Sequence, residues 1–295
     1  ATGISFPDVL IVQGLYQFKP PFPFSPGSEI SGVISSVGEG VTRHKEGDRV
    51  MGSIGSGGLR EKGVYSEHQL MPLPESMDFK TAAGFPLNYG TTYHAFKQRG
   101  ELEPGQSVLV LGAGGGLGIT AIHVAKAMGA KVIAAASSQD KIDLCKREGA
   151  DEGIIYERDM DRDLQKKFSD QIKEVTGGGV DMIYDLVGGD YAEPALRAIA
   201  RHGKYLVIGF TAGIPKMPLN LTLLKECQIV GVFWGQFAGL DQAENQQNFK
   251  ELFELHEQGK IKPFVTETFS LEDAAKAIKT LEDRKVLGKV VVSME

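Results

Sequence analysis

A glycine-rich turn, GAGGGLG at residues 112–118, is the segment whose composition most clearly predicts chemistry. It follows the apolar run Ser107–Leu111 and opens a helical pattern. In that position, backbone N–H groups and the positive end of a helix point at the crevice beyond the strand, where they bind phosphate. Gly115, Gly116 and Gly118 allow the backbone to approach a diphosphate without a Cβ in the way. A tight bend is the alternative, but the flanking strand and helix favour a dinucleotide site.

The second predicted strand ends without the acid that an NAD site carries. NAD sites place Asp or Glu about 20 residues after the glycines, where it accepts from the ribose 2′-hydroxyl. Here the strand ends at Ala136, Ser137 and Ser138 follow, and Lys141 lies one turn into the next helix. Hydrogen bonds to a 2′-phosphate contribute about 1.5–3 kcal/mol each, roughly ten- to a hundredfold in affinity. NADPH is favoured over NADH, unless Ser138 is an ordinary helix cap and Lys141 a surface charge.

These segments belong to a regular alternation of strands and helices between residues 107 and 234. Predicted helices end at Gly129 and Gly149, which suit a left-handed helix terminus. This alternation predicts right-handed crossovers and an α/β, doubly wound parallel sheet. The predicted strands are Ser107–Leu111, Lys131–Ala136, Glu152–Tyr156, Val180–Leu186, Lys204–Gly209 and Gln228–Phe233.

The two ends of the chain have a different pattern. Residues 1–90 contain short extended runs separated by Gly- and Pro-rich segments, which predicts a β-rich domain without a helix cap near its start. The last 60 residues contain the helical segment ENQQNFKELFELHEQG and a final strand, GKVVVSM. The predicted organisation is a β-rich domain at 1–90, a nucleotide-binding domain at 91–236 and a return to the first domain at 237–295.

Composition excludes several classes of function. The net charge is −6 with dispersed basic residues, so no nucleic-acid surface is indicated. No apolar run approaches the roughly 20 residues that a membrane span needs. Two cysteines are too few for a disulfide framework and favour a reducing compartment. We expect the cytoplasm. A mitochondrial location stays open, because the chain starts at Ala1 without a methionine or recognisable targeting segment.

Five motifs along nearly the whole chain resemble the medium-chain dehydrogenases/reductases, and among them the zinc-free quinone oxidoreductases related to ζ-crystallin. The motifs are GISFPDVLIVQGLY, PFSPGSEISGVISSVGEGVTRHKEGDRVMG, AAGFPLNYGTTYHAF, GAGGGLG and the closing GKVVVS. The resemblance implies a Rossmann domain and a GroES-like β-rich domain. That domain lacks the family's usual first strands, so we expect unpaired strand edges and a truncated, processed or naturally short form.

Zinc-containing relatives hold their catalytic metal with three Cys or His ligands. The corresponding places in this chain are Ser5, Ser28 and Asn88, and no cysteine-rich lobe follows Gly52. No metal is therefore expected. Without a Lewis acid to polarise an alcohol or carbonyl, the substrate must accept hydride readily. Quinones and α,β-unsaturated carbonyls meet this requirement.

The resemblance also implies roles for individual residues. Tyr16 lines the substrate cleft and is the candidate proton donor or substrate orienter. Ser5, Leu10 and Asn88 line the same cleft, although many relatives carry asparagine and tyrosine at the first two positions. The strand QIVGVFWG implies a homodimer. The residues expected to bind NADPH are Thr92, Gly115, Gly116, Leu117, Gly118, Ser137, Ser138, Lys141, Tyr156, Val187, Gly188, Ile208, Gly209, Phe233 and Trp234.

Two other protein classes share features of this sequence. The glycine motif also fits short-chain dehydrogenases, but these resemble a lone Rossmann domain with a downstream Tyr-x-x-x-Lys pair. In this chain the pair, Tyr93 and Lys97, lies upstream of the motif, and more than 100 residues precede the motif. The other alternative is a non-catalytic NADPH-binding protein with a structural or regulatory role, as some ζ-crystallin-like members are.

Overall fold

The computed structural model describes residues 1–283 and 286–294, and within them the chain forms twelve strands and eleven α-helices. The strands are β1 Thr2–Ile4, β2 Glu29–Val33, β3 Arg49–Ser53, β4 Leu70–Pro72, β5 Ser107–Leu111, β6 Lys131–Ala136, β7 Glu152–Ile155, β8 Val180–Asp185, β9 Ile199–Val207, β10 Gln228–Gly231, β11 Glu267–Ser270 and β12 Val290–Ser293. The helices are α1 Phe6–Val12, α2 Phe79–Ala83, α3 Pro86–His94, α4 Gly116–Ala127, α5 Gln139–Arg147, α6 Arg162–Thr176, α7 Ala192–Arg197, α8 Asn220–Lys225, α9 Trp234–Leu240, α10 Gln242–Glu257 and α11 Ala274–Glu282.

The β-rich unit combines both ends of the chain: it comprises Ala1–Asn88 and the segment from Pro263 onward. Its sheet has the order β11-β12-β1-β2-β3-β4. The first strand is therefore paired on both sides, with Thr2 opposite Ile30 of β2 and Val292 of β12. We expected unpaired strand edges near the start of the chain, but β1 is not an edge strand, because β12 pairs with one side of it. The two edge strands of this sheet are β11 and β4.

The second unit, Tyr89–Lys262, contains the predicted parallel sheet. Six parallel strands lie in the order β10-β9-β8-β5-β6-β7, which confirms the doubly wound α/β class. Gly129 and Gly149 follow α4 and α5 with φ values of +84° and +109°, so both occupy the left-handed conformation that glycine adopts without strain. This ordered sheet fixes the positions of the loops that follow its strands.

The boundary between the units differs from the sequence-based one. The chain returns to the β-rich unit at Pro263 rather than at residue 237. The reason is that α10 binds to the end of α3 and the π-helical turn after it. The Tyr93 hydroxyl donates to Glu251 at 2.5 Å, and the Lys97 ammonium donates to the same carboxylate at 2.6 Å. Among the described residues, no helix is both long and apolar enough to cross a membrane.

A helix that the sequence pattern did not predict begins directly after β1. Ser5 occupies the N-cap position of α1, with φ −131° and ψ 164°. Its backbone N–H donates to the carboxylate of Asp8 at 2.9 Å. Asp8 is the third helical residue, whose side chain accepts this hydrogen bond in a capping box. The expectation of no helix cap near the start was therefore wrong, because Ser5-Phe6-Pro7-Asp8 is a capping sequence with aspartate in place of glutamate.

Candidate functional site

The glycine-rich turn lies between β5 and α4, as the sequence predicts. The N–H groups of Gly112 and Ala113 both donate to the Ala135 carbonyl at 3.0 Å, which fastens the turn to β6. Gly115 is the N-cap of α4, and the next residues, Gly116 and Leu117, are partly exposed. The first N–H groups of a helix have no partner within the helix. This turn can therefore donate hydrogen bonds to a diphosphate.

Glycine is needed at different positions of the turn for different structural reasons. A Cβ on Gly118 would lie 2.5 Å from the Ala113 carbonyl oxygen, inside the backbone of the preceding strand–helix turn. At Gly115 the nearest atom to a Cβ would be the Gly112 oxygen, at 3.7 Å. Gly118 thus permits close helix–strand packing, whereas space beside Gly115 is open for a ligand. The expected ligand contact of Gly118 stays a prediction.

Lys141 lies against the same turn. A Cβ on Gly114 would be 2.8 Å from Cβ and Cγ of Lys141, so the lysine side chain crosses the face of that glycine. Ser137 follows β6 directly, and Ser138 is the N-cap of α5 without a side-chain capping hydrogen bond. The backbone of Ser138 caps the helix, while its hydroxyl is not committed to that cap. All three side chains are partly exposed and remain compatible with 2′-phosphate binding.

The loop after β7 carries the predicted Tyr156 and also Arg158, which was not predicted from the sequence. The Tyr156 N–H donates to the Ala136 carbonyl at 3.0 Å, which brings this loop beside Ser137. The Tyr156 ring packs 4.7 Å from the ring of Tyr191, so much of this side chain serves packing. A cavity of about 530 Å³ opens here, lined by Ser137, Glu157, Arg158, Asp159 and Leu164. Arg158 contributes a cationic side chain to this lining. Its position two residues after Tyr156 is the sequence feature that could have indicated a second contact to the 2′-phosphate.

Asp185 organises the loops after β8 and β9. One carboxylate oxygen accepts from the N–H groups of Val187 and Gly188 at 2.8 and 2.9 Å. Its backbone carbonyl accepts from the N–H groups of Ile208 and Gly209 at 3.0 and 3.1 Å. The four residues predicted in these loops therefore share one anchor.

The environment of Asp185 explains why it can serve as that anchor. Burial raises the pKa of its carboxyl, and hydrogen bonds from Tyr205 and from the two loop N–H groups oppose that shift. The Tyr205 hydroxyl donates to the second carboxylate oxygen at 2.6 Å. Asp185 was not predicted from the sequence, although an acid at the end of a buried strand is a visible signal.

Three further predicted residues differ in accessibility. Thr92 is fully buried and its hydroxyl bonds to the hydroxyl of Tyr184 at 3.0 Å, so it serves packing in this structure. Trp234 is also buried: its indole N–H donates to Asn245 at 2.9 Å, and a Cβ on Gly90 would meet its ring at 2.6 Å. Phe233 is 59% exposed. Of the three, Phe233 alone presents its side chain to solvent.

In the β-rich unit, two of the positions matched to zinc ligands share one carboxylate. Oδ2 of Asp8 accepts from the Ser5 N–H at 2.9 Å and from the Ser28 hydroxyl at 3.3 Å. The other oxygen of Asp8 accepts from the Gly27 N–H at 3.1 Å. Asn88 is buried on the first turn of α3. The structure thus joins Ser5 and Ser28 at the Asp8 carboxylate.

A buried ion pair completes this cluster. The Lys289 ammonium donates to the Glu29 carboxylate at 2.6 Å and to the Ser5 hydroxyl at 2.6 Å. The side chains of Lys289 and Glu29 are 7% and 0% exposed. Lys289 was not predicted from the sequence, because its partners lie 260 or more residues away.

The donor set does not fit a catalytic zinc. Two hydroxyls and an amide replace the Cys and His side chains that bind zinc, and an ammonium already occupies the cluster. Across residues 1–283 and 286–294, the side chains of His, Cys, Asp and Glu form no group of three or more suited to a metal ion.

The two remaining cleft candidates belong to α1 and the turn after it. Leu10 lies on α1 and Tyr16 follows that helix; both are partly buried. Burial, and then the nearby Asp8 carboxylate, raise the pKa of Tyr16 above its usual 10. The phenol therefore stays protonated at neutral pH and can donate a hydrogen bond.

Asp8 should make stability depend on pH in an identifiable range. Burial raises its pKa from 3.8 to about 6, against the lowering effects of the Ser5 hydrogen bond and the Lys289 charge. The folded state therefore binds this proton more tightly than the unfolded state, whose pKa is about 3.9. The stabilisation is complete below the unfolded pKa and is lost as the pH rises through about 6.

We expect the difference in unfolding free energy between wild type and Asp8→Asn to fall by about 2–3 kcal/mol between pH 3.5 and pH 7. Urea unfolding of both proteins at intervals across this range measures the difference directly. Subtracting the variant cancels the titration of the other groups, which both proteins share. A difference that stays constant, or that grows as the pH rises, contradicts the assignment.

Comparison with known proteins agrees with this arrangement. Residues 116–257 match the family described as zinc-binding dehydrogenase, and residues 1–75 match the alcohol dehydrogenase GroES-like domain. Quinone oxidoreductase-like protein 2 of Bos taurus is 36% identical over 295 residues, covering 99% of this chain and 83% of that protein. Quinone oxidoreductase of Rattus norvegicus is 33% identical over 303 residues, covering 99% and 86%.

A solved structure gives the same result for the fold. Escherichia coli quinone oxidoreductase, crystallised in complex with NADPH, superposes with a TM-score of 0.89 at 30% identity, covering 99% of this chain and 89% of that one. Sequence identity, both family matches and the fold therefore confirm the resemblance. The chain belongs to the medium-chain dehydrogenase/reductase family, on its quinone oxidoreductase branch.

Proposed function

We propose that this protein is an NADPH-dependent oxidoreductase that passes hydride to a quinone or an α,β-unsaturated carbonyl without zinc. The observation that carries the proposal is the glycine turn with Lys141 lying across Gly114, beside a strand end without an acid. An anion-binding helix terminus and a cation beside it match the two charged ends of the adenosine half of NADPH.

The residues present fit the coenzyme. The N–H groups of Gly116 and Leu117, two partly exposed residues, would hold the diphosphate, and Gly115 leaves room for it. Lys141, together with Ser137 and Ser138, would hold the 2′-phosphate, and Arg158 would contribute from the adjoining cavity. When bound, NADPH supplies the hydride.

The acceptor class follows from the cluster around Ser5. Neither the hydroxyls of Ser5 and Ser28 nor the amide of Asn88 can polarise a carbonyl as a metal ion does. A conjugated acceptor instead delocalises the charge that develops on reduction. Tyr16, which keeps its proton at neutral pH, would orient the acceptor oxygen by a hydrogen bond, and solvent would deliver the final proton.

The decisive measurement is the loss of NADPH absorbance with a panel of quinones and enones, with simple ketones and alcohols as controls. We expect turnover with the conjugated acceptors and none with the controls. A zinc chelator, or added zinc, should leave the rate unchanged. Activity that a chelator abolishes would contradict the zinc-free assignment. NADPH binding without turnover of any acceptor would instead support the non-catalytic alternative.

The same proposal includes a homodimer formed along β10. This strand is an edge of the parallel sheet, with Ile229 and Val230 partly exposed. Several apolar side chains close to it in sequence are more than half exposed: Ile214, Leu219, Leu223, Leu224 and Phe233. Exposed apolar side chains around an open strand edge favour pairing with a second copy.

A further inference from the structure

The buried ion pair at Lys289 is not explained by packing alone. Removing two charges from water costs several kcal/mol per ion, and apolar residues of similar volume often stabilise a fold better. The Lys289 side chain nevertheless packs closely against Gly84. A Cβ on Gly84 would lie 2.8 Å from its Cγ and 3.1 Å from its Cε, so the aliphatic stem passes over a residue that has no side chain.

The Glu29 carboxylate bridges this ammonium and the start of α3. Its Oε1 accepts from the Lys289 ammonium at 2.6 Å, and its Oε2 accepts from the Leu87 N–H at 2.8 Å. Leu87 is the second residue of α3, so the carboxylate satisfies one of the helix's unpaired N–H groups and supplies the negative charge that a helix start favours. The next residue is Asn88.

Ser5 is held by the same two charges. Its hydroxyl accepts from the Lys289 ammonium at 2.6 Å and donates to Oε1 of Glu29 at 3.0 Å. One ammonium therefore fixes two groups that are distant in the sequence: the Ser5 hydroxyl and, through Glu29, the first turn of α3. Ser5, and Asn88 in the first turn of α3, are two of the three positions that the family resemblance matches to zinc ligands.

We propose that Lys289 is a positioning residue for the hydride acceptor site. Its ammonium orients Ser5 and, through Glu29, the start of α3 with Asn88. This inference rests on the proposed function, because it assigns Ser5 and Asn88 to the acceptor. In a site without a metal ion, a fixed internal cation keeps these groups in place.

The test uses Lys289→Met, with Lys276→Met as the matched control. Lys276 lies on α11 in the same unit, its side chain is 73% exposed, and it pairs with Asp273. The control should leave every measured property unchanged. For Lys289→Met we expect kcat/KM for the acceptor to fall about tenfold, while the Kd for NADPH stays within twofold. Rates are normalised to the NADPH-binding sites, so a partly unfolded sample does not mimic the effect.

Hydrogen exchange supplies a measurement that does not need turnover. In Lys289→Met the Leu87 amide should exchange at least tenfold faster, because Glu29 loses the partner that holds it in place. The double variant Glu29→Gln/Lys289→Met removes the uncompensated carboxylate. It should unfold at a higher urea concentration than Lys289→Met and recover part of the Leu87 protection. This variant also keeps the test decisive if the single variant folds poorly.

The outcomes separate the two proposals. If wild type reduces no acceptor but Leu87 protection depends on Lys289, the proposed function fails and Lys289 serves the fold. That result overturns an acceptor-site role. If wild type turns over and Lys289→Met keeps its kcat/KM, or loses NADPH affinity by the same factor, the positioning role is wrong while the proposed function stands.

Discussion

Replacing Gly118 with alanine is expected to destabilise the protein without coenzyme by about 2–3 kcal/mol and to weaken NADPH binding roughly a hundredfold. The added Cβ would lie 2.5 Å from the oxygen and 2.6 Å from the carbonyl carbon and Cα of Ala113. These are backbone atoms, which cannot rotate away as a side chain does. The start of α4 must therefore shift away from the turn at Ala113, and the N–H groups proposed to hold the diphosphate would shift with it.

Gly115→Ala is the matched control for this change. Its Cβ would meet only the Gly112 oxygen, at an ordinary contact distance of 3.7 Å, and φ is −88°. Urea unfolding without coenzyme should leave its stability close to wild type, while fluorescence titration should show weaker NADPH binding if the diphosphate passes this residue. Equal stability of Gly118→Ala and wild type would show that α4 moves freely and would contradict the packing role of Gly118.

Replacing Lys141 with alanine is expected to weaken NADPH binding by roughly ten- to a hundredfold and NADH binding by less than threefold. The physical reason is that the two coenzymes differ only in the 2′-phosphate, whose charge the proposed contact with the Lys141 ammonium would stabilise. Fluorescence titration with both coenzymes measures the ratio of the two dissociation constants. Losses of the same size for both would show that Lys141 acts on the turn at Gly114 rather than on the 2′-phosphate.

Arg158→Gln provides a comparison at the adjoining cavity. This change leaves Glu157 and Asp159 in the lining without the cation beside them. The preference for NADPH should then fall further in the double variant with Lys141→Ala than in either single variant. Lys146→Ala, an exposed cation at the end of α5, is the control and should not change the ratio.

The parallel sheet could be predicted from local pattern because its determinants are local. The predicted bounds of β5 and β6 agree with the structure, and the glycines at 129 and 149 end their helices as expected. The strand β9 differs: it begins at Ile199, five residues before the predicted start at Lys204. Its register with β8 shifts between Val180 and Met182. A charged segment with a glycine resembles a loop, and local pattern does not distinguish a bulge from one.

The cluster around Ser5 was only half accessible to sequence analysis. Similarity to the family indicated that Ser5, Ser28 and Asn88 stand at positions where zinc-containing relatives have metal ligands. It does not show which groups these residues contact when no zinc ligand is present there. The answer depends on Lys289, which meets Ser5 across a sequence separation of 284 residues. Periodicity, turn signals and helix caps act over a few residues, so they contain no information on such a contact. Three-dimensional pairing of β1 with β12 creates it.

The pairing of Thr2 with Val292 also affects how the chain can assemble during synthesis. The second unit is one continuous stretch, so it can fold as soon as residue 262 has left the ribosome. The sheet of the first unit must wait for its last strand, with most of the polypeptide already ordered between its two parts. The nucleotide-binding half should therefore be complete first, and the buried lysine can meet its carboxylate only after β12 has emerged.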